Sequence, residues 1–208
     1  EFSFDLLEGS TVLQTVKNDA SGNITFDAIQ YTQDDIGKTY TYTVTEVNDG
    51  ENGMTYDTTV HTVTVTVALA NDGTLSVTTS NNANALNFNN TYVATGSITL
   101  SGTKTLTGRT LAADEFEFKL ADADGNEIQT VKNDADGNIV FAPITYNQTN
   151  IGQTYTYTVT EIDGDKNGIT YDSDVITVEV AVTDAGNGRL NVQLTSDPET
   201  IAFENSFT

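Results

Sequence analysis

The sequence predicts an all-β chain of two tandem Ig-like β-sandwich domains, and three observations lead there. Thr, Val and Tyr fall in short runs of strict alternation, the pattern of strands with one buried face. Tyr (9) and Phe (9) supply the aromatics without any Trp, and no window carries a helical apolar period. The second half also repeats the first: Glu46 recurs as Glu161 and Asn90 as Asn205, each 115 residues on. A period of that length marks homologous domains rather than solenoid turns.

The repeat is legible element by element. Thr15–Ala20 and Thr130–Ala135 both read TVKNDA, and Thr39–Glu46 and Thr154–Glu161 both read TYTYTVTE. Thr55-Tyr56-Asp57 returns as Thr170-Tyr171-Asp172, and Phe88–Tyr92 returns as Phe203–Phe207. In copy two, strands are expected near 97–106, 115–121, 127–132, 137–142, 154–162, 174–183, 188–195 and 201–207. Turn residues separate them at Asp124-Gly125-Asn126, Asp136-Gly137-Asn138, Asn167-Gly168 and Gly186-Asn187-Gly188. Many short strands at this spacing imply antiparallel sheets packed as a sandwich. The expected domains are 1–92 and 97–208, joined by a linker at 93–96 short enough to restrict domain motion. Copy one has no counterpart of 97–114 and begins within a structural element, as if cut from something longer.

Alternation aims three polar residues at the core. Residues two apart on a strand share a face. Lys104 shares its face with Ile98, Leu100, Gly102 and Leu106. Glu161 shares its face with Tyr155, Tyr157 and Val159, and Asn205 with Ile201, Phe203 and Phe207. A buried, unpaired charge costs several kcal/mol, so these groups must be neutralised, paired or chemically consumed. One reading is a spontaneous Lys104–Asn205 amide. Burial favours the neutral, nucleophilic amine. Glu161 then acts as the acid, donating a hydrogen bond to the Asn205 carbonyl and a proton to departing ammonia. Enforced contact supplies the effective molarity that a poor electrophile requires. The other reading is a buried Lys–Glu ion pair with Asn205 as a hydrogen-bond neighbour. In copy one the acid Glu46 and the acceptor Asn90 recur without a matching lysine, so Asn90 is expected to stay unpaired beside an open edge and groove.

Charge and composition narrow the function. Eight Lys+Arg against 30 Asp+Glu give a net charge of −22, which argues against nucleic acid and anionic membrane as partners. No stretch within 1–208 is expected to act as a membrane span or a signal peptide. The chain has no cysteine, which excludes disulfides, thiol nucleophiles and Cys-based zinc sites. Asp122–Asn126 and Asp134–Asn138 evoke calcium loops. Their glycine precedes the third ligand position and no closing Glu follows, so hairpin turns are the better reading. His61, standing where copy two has Ile176, makes no triad or metal site alone. Arg109 fits a turn or interdomain contact. No cofactor or metal is expected.

Four further stretches join the Tyr-Thr-Tyr-Thr-Val-Thr-Glu161 strand in one pattern: Gly102–Leu111 (GTKTLTGRTL), Glu115–Phe118 (EFEF), Gly168–Asp172 (GITYD) and Phe203–Phe207 (FENSF). Together they resemble the streptococcal-pilin-type isopeptide-linkage domain, over 97–208 and, without its first strand, over 1–92. The resemblance implies a collagen-adhesin B-like sandwich from the shaft of a pilus or the stalk of a wall-anchored Gram-positive surface protein. It implies Lys104 as nucleophile, Asn205 as acceptor, Glu161 as acid, and in copy one Glu46 and Asn90. The chain would then be extracellular, its partners the neighbouring repeat domains, and its one chemical act a single-turnover crosslink rather than enzymatic catalysis. The rival is an adhesin domain that binds host protein or glycan through its end loops. Those tips, 48–52 and 163–167, are polar and carry no aromatic platform.

Overall fold

Alternating Thr and apolar residues build strands throughout the computed structural model, which describes residues 1–80, 86–195 and 201–208. The chain divides into two units, Glu1–Tyr92 and Val93–Thr208, each an all-β sandwich. Unit 1 contains β1 (Ser3–Glu8), β2 (Thr11–Lys17), β3 (Thr39–Val47), β4 (Met54–Thr55), β5 (His61–Leu69), β6 (Leu75–Thr79) and β7 (Thr91–Tyr92). Its sheets run β2-β1-β3-β5-β6 and β4-β7.

Unit 2 opens with β8 (Thr95–Ile98) and β9 (Ser101–Thr107), then β10 (Glu117–Asp122), β11 (Glu127–Lys132), β12 (Asn138–Val140) and β13 (Ile144–Asn147). It continues with β14 (Thr154–Ile162), β15 (Ile169–Thr170), β16 (Val175–Gly186), β17 (Arg189–Leu194) and β18 (Ala202–Phe207). One sheet runs β11-β10-β14-β16-β17-β8-β13 and the other β12-β9-β18-β15. Between them lie Phe116, Phe118, Leu120, Phe141, Val159 and Phe203, all buried.

Several expected boundaries are corrected. The stretch 97–106 is two strands, because the chain passes from one sheet to the other at Thr99-Leu100. Thr95 and Gly96, expected in the linker, already pair with Asn147 and Tyr146. The expected strand 137–142 stops at Val140. Pro143, which has no N–H to donate, stands between it and β13, an unforeseen strand.

The first and last strands of this second sheet lie side by side. β9 and β18 pair in parallel, with Phe203 opposite Lys104 and Asn205 opposite Leu106. Gly102 permits the approach, since a Cβ there would collide with the Ile201 carbonyl oxygen and side chain. Gly102→Ala is therefore expected to destabilise unit 2 by about 1–3 kcal/mol or more, measured by chemical denaturation. An unchanged midpoint would mean the two strands can separate without cost.

The acidic hairpins are turns. Asp122 Oδ1 accepts from the N–H groups of Asp124 (3.0 Å) and Asn126 (2.9 Å), and Asp134 does the same for Asp136 and Asn138. Arg109 forks onto Glu115 and stacks 5.1 Å from the Phe207 ring centroid, tying the β9–β10 connection to β18. His61 begins β5, packs edge-on against Phe88 and hydrogen-bonds the Asn87 carbonyl at 2.9 Å.

Candidate functional site

Three strands deliver the three polar residues of unit 2 to one point. Lys104 sits mid-β9, Glu161 near the end of β14 and Asn205 in β18. Alternation turns each inward. Lys104 is 2% exposed and Asn205 1%, in a core that is mostly apolar. Lys104 Nζ donates to Glu161 Oε2 at 2.8 Å, with both side chains wholly out of solvent. It also lies 4.9 Å from the Phe116 ring centroid and 5.9 Å from that of Phe118. Burial among these rings pushes the lysine below its ordinary pKa, and the Glu161 carboxylate beside it partly opposes the shift.

Glu161 bridges amine and amide. Its Oε1 accepts from Asn205 Nδ2 at 2.8 Å while its Oε2 receives the lysine. The expected contact from Glu161 to the Asn205 carbonyl is therefore not the one formed. That oxygen, Oδ1, accepts the main-chain N–H of Asp172 at 2.8 Å. The assignment follows from chemistry, because a peptide N–H can be received only by the amide's oxygen. The Asp172 N–H also reaches Glu161 Oε2 at 3.3 Å. Among the described residues, no buried side-chain nitrogen or oxygen lacks a partner.

The Asp172 carboxylate is itself engaged. It accepts from the N–H of Glu204 (2.8 Å), next to Asn205 on β18, and from that of Asp174 (2.9 Å) in its own turn. Sequence reasoning assigned this residue no role. The available signal was the recurrence of Thr-Tyr-Asp at 55–57 and 170–172.

Unit 1 holds the same arrangement around its acid and acceptor. Asn90 Nδ2 donates to Glu46 Oε1 at 2.6 Å, and the Asp57 N–H reaches Asn90 Oδ1 at 2.9 Å and Glu46 Oε2 at 3.1 Å. Among the described residues, no lysine pairs with Glu46. The positions that flank β9 in unit 2 also differ in state here. Residues 23–25, equivalent to β12, and 87–90, equivalent to the first part of β18, form no strand. Between them lies a groove of about 690 Å³ lined by Ile24, Phe26, Val44, Leu86 and Asn87 among others.

No group of three or more metal-binding side chains and no helix able to cross a membrane occur among the described residues. In fold the chain is similar to the major pilin from Streptococcus pyogenes, at 17% identity and a TM-score of 0.32, covering 99% of this chain and 90% of that one. It is similar also to a bacterial adhesin from Mobiluncus mulieris with intramolecular disulfide, isopeptide and ester cross-links, at 18% identity and a TM-score of 0.24. That alignment covers 100% of this chain and 84% of the adhesin. The pilus adhesin SpaC from Lactobacillus rhamnosus GG aligns at 14% identity and a TM-score of 0.30, covering 99% of this chain and 28% of that one. Comparison with curated proteins returned no match. The model of one family matches residues 1–93 and again 100–208, so that the chain belongs to the FctA family, the Spy0128-like isopeptide-containing domain.

Proposed function

We propose that this chain is a load-bearing shaft segment of a pilus or wall-anchored surface protein, locked in unit 2 by a self-formed Lys104–Asn205 amide bond. The observation that carries the reading is the Glu161 carboxylate held at 2.8 Å from both the amine and the amide nitrogen. Family membership supports it independently. On this reading the protein acts outside the cell, and its partners are neighbouring domains or subunits of the same assembly.

The chemistry balances without any cofactor. A proton passes from Lys104 to Glu161 across their hydrogen bond, converting an ion pair to a neutral pair with no change in net charge. The neutral amine attacks Asn205 Cγ and a tetrahedral carbon forms. Glu161 gives its proton to Nδ2 and takes one from Nζ. The Cγ–Nδ2 bond then breaks, ammonia leaves, and Nζ–Cγ remains as an amide. When ammonia departs as ammonium, Glu161 is again a carboxylate. The event happens once per chain.

Intact mass tests it. The folded chain is expected to weigh one ammonia less than its sequence, and a tryptic peptide pair should stay joined through Lys104 and Asn205. Lys104→Ala and Glu161→Gln should each restore the full mass. A wild-type mass equal to the unmodified sequence would leave the buried ion pair as the whole of the site.

A further inference from the structure

We propose that Asp172 supplies the oxyanion donor for this crosslink, through its main-chain N–H, and that its carboxylate is the positioning group that aims that N–H. The inference rests on the amide-forming reading above and adds a residue to it.

Attack on Asn205 Cγ drives negative charge onto Oδ1. A preformed donor aimed at that oxygen, in a site closed to water, stabilises the transition state more than the ground state. Glu161 cannot be that donor in this geometry, because its two oxygens face the two nitrogens between which protons must move. The Asp172 N–H is already 2.8 Å from Oδ1.

What holds the N–H there is visible on both sides of the peptide. Before it, β15 pairs with β18, placing Thr170 opposite Ser206. After it, the Asp172 carboxylate grips the main-chain N–H of Glu204, the residue preceding the electrophile. Donor and acceptor are thus fixed to the same strand, so small motions of the loop carry both together. Unit 1 repeats the device. Asp57 Oδ2 accepts from the Asn89 N–H (2.8 Å) and Oδ1 from the Thr59 N–H (2.8 Å), while its own N–H meets Asn90 Oδ1. There no lysine pairs with the acid among the described residues, so the donor geometry belongs to the Thr-Tyr-Asp turn and exists before any nucleophile arrives.

The test uses full-length chains assembled by ligation, purified in denaturant before reaction, then refolded and followed by intact mass. Replacing the peptide nitrogen of Asp172 by an ester oxygen removes the N–H and keeps the carboxylate. Loss of ammonia is expected to slow roughly 100- to 1,000-fold, the effect of deleting one oxyanion donor. The same ester one residue later, at Ser173, should react at the wild-type rate. Asp172→Ala keeps the N–H but releases its anchors, and is expected to react at least 10-fold slower while its refolded, unreacted state keeps the wild-type circular dichroism. Wild-type rates in the Asp172 ester overturn the donor role. A wild-type rate in Asp172→Ala overturns the positioning role, and decides the matter should the ester chain fail to fold. A wild-type chain that never loses ammonia would instead overturn the underlying amide-forming reading.

Discussion

Pulled by its ends, the wild-type chain is expected to show no unfolding step from the part of unit 2 between Lys104 and Asn205. The Glu161→Gln chain should release that part in one event, lengthening by roughly 330–360 Å at full extension. Tension enters unit 2 through β8 and β9 and leaves through β18. β9 and β18 are parallel neighbours, so opposed pulling loads their hydrogen bonds together in shear rather than one at a time. An amide between Lys104 and Asn205 adds a covalent path across that pair and bypasses about 100 residues. The same bond limits the denatured chain. By analogy with a disulfide closing a loop of that length, the lost entropy contributes about 4–5 kcal/mol. Under load the larger consequence is topological, because no amount of local unfolding lets the bypassed segment extend. Unit 1, where no lysine meets Glu46 among the described residues, should give its own step in both chains and serves as an internal reference. A step of the same length from unit 2 in the wild-type chain would show that the strands are joined by hydrogen bonds alone.

The inward aim of these three polar residues was legible because the relevant signal is local. Alternation sets the face of Lys104, Glu161 and Asn205 wherever their strands pair, and all three do turn inward. The repeat likewise exposed the boundary between units, since self-similarity needs no knowledge of contacts. Partner choice is not local, and there the reading failed. Gly96, Ile98, Leu100, Gly102 and Lys104 keep one period-two pattern, although β8 pairs with β13 and β9 with β12 and β18. A break that preserves the alternation leaves no trace in it. The segment Ile144–Asn147 was missed for the same reason, as its strand exists through pairing with β8. Asp172 was invisible in another way. The donor proposed for it is a peptide N–H, which every residue but proline owns, so only the recurrence of Thr-Tyr-Asp at 55–57 and 170–172 marked the position.

Offered a peptide carrying the sequence of Ser97–Leu111, unit 1 is expected to bind it as a strand and then join it covalently through Asn90. In unit 2, β9 lies between β12 and β18 and its lysine meets Glu161. The equivalents of those flanking strands, 23–25 and 87–90, have no sheet partner in unit 1. Apart from the Asn23 and Asn87 carbonyls and the Asn23 and Asn89 N–H groups, which are already hydrogen-bonded, their main-chain groups form an edge, and exposed edges accept an added strand. The apolar contacts are waiting as well. Ile139, Phe141 and Ile201 are buried in unit 2, whereas their counterparts Ile24, Phe26 and Leu86 line the open groove and are only half-buried. Charge favours the same occupant, since a lysine inserted in the β9 register arrives at a carboxylate that already orients its acceptor amide. Seating that lysine converts a bimolecular reaction to a local one, the step that makes amide attack feasible. The adduct should weigh chain plus peptide less one ammonia, and its rate should rise with peptide concentration until the groove is full. Asn90→Ala in the chain, or Ala in place of the peptide's lysine, should prevent it, while Glu46→Gln should permit binding without bond formation. If a saturating peptide binds yet leaves Asn90 unmodified, acid and acceptor in unit 1 are not arranged for reaction. If peptide mapping finds Asn90 already joined to a lysine of its own chain, the correspondence that gives unit 1 no counterpart of β9 is wrong.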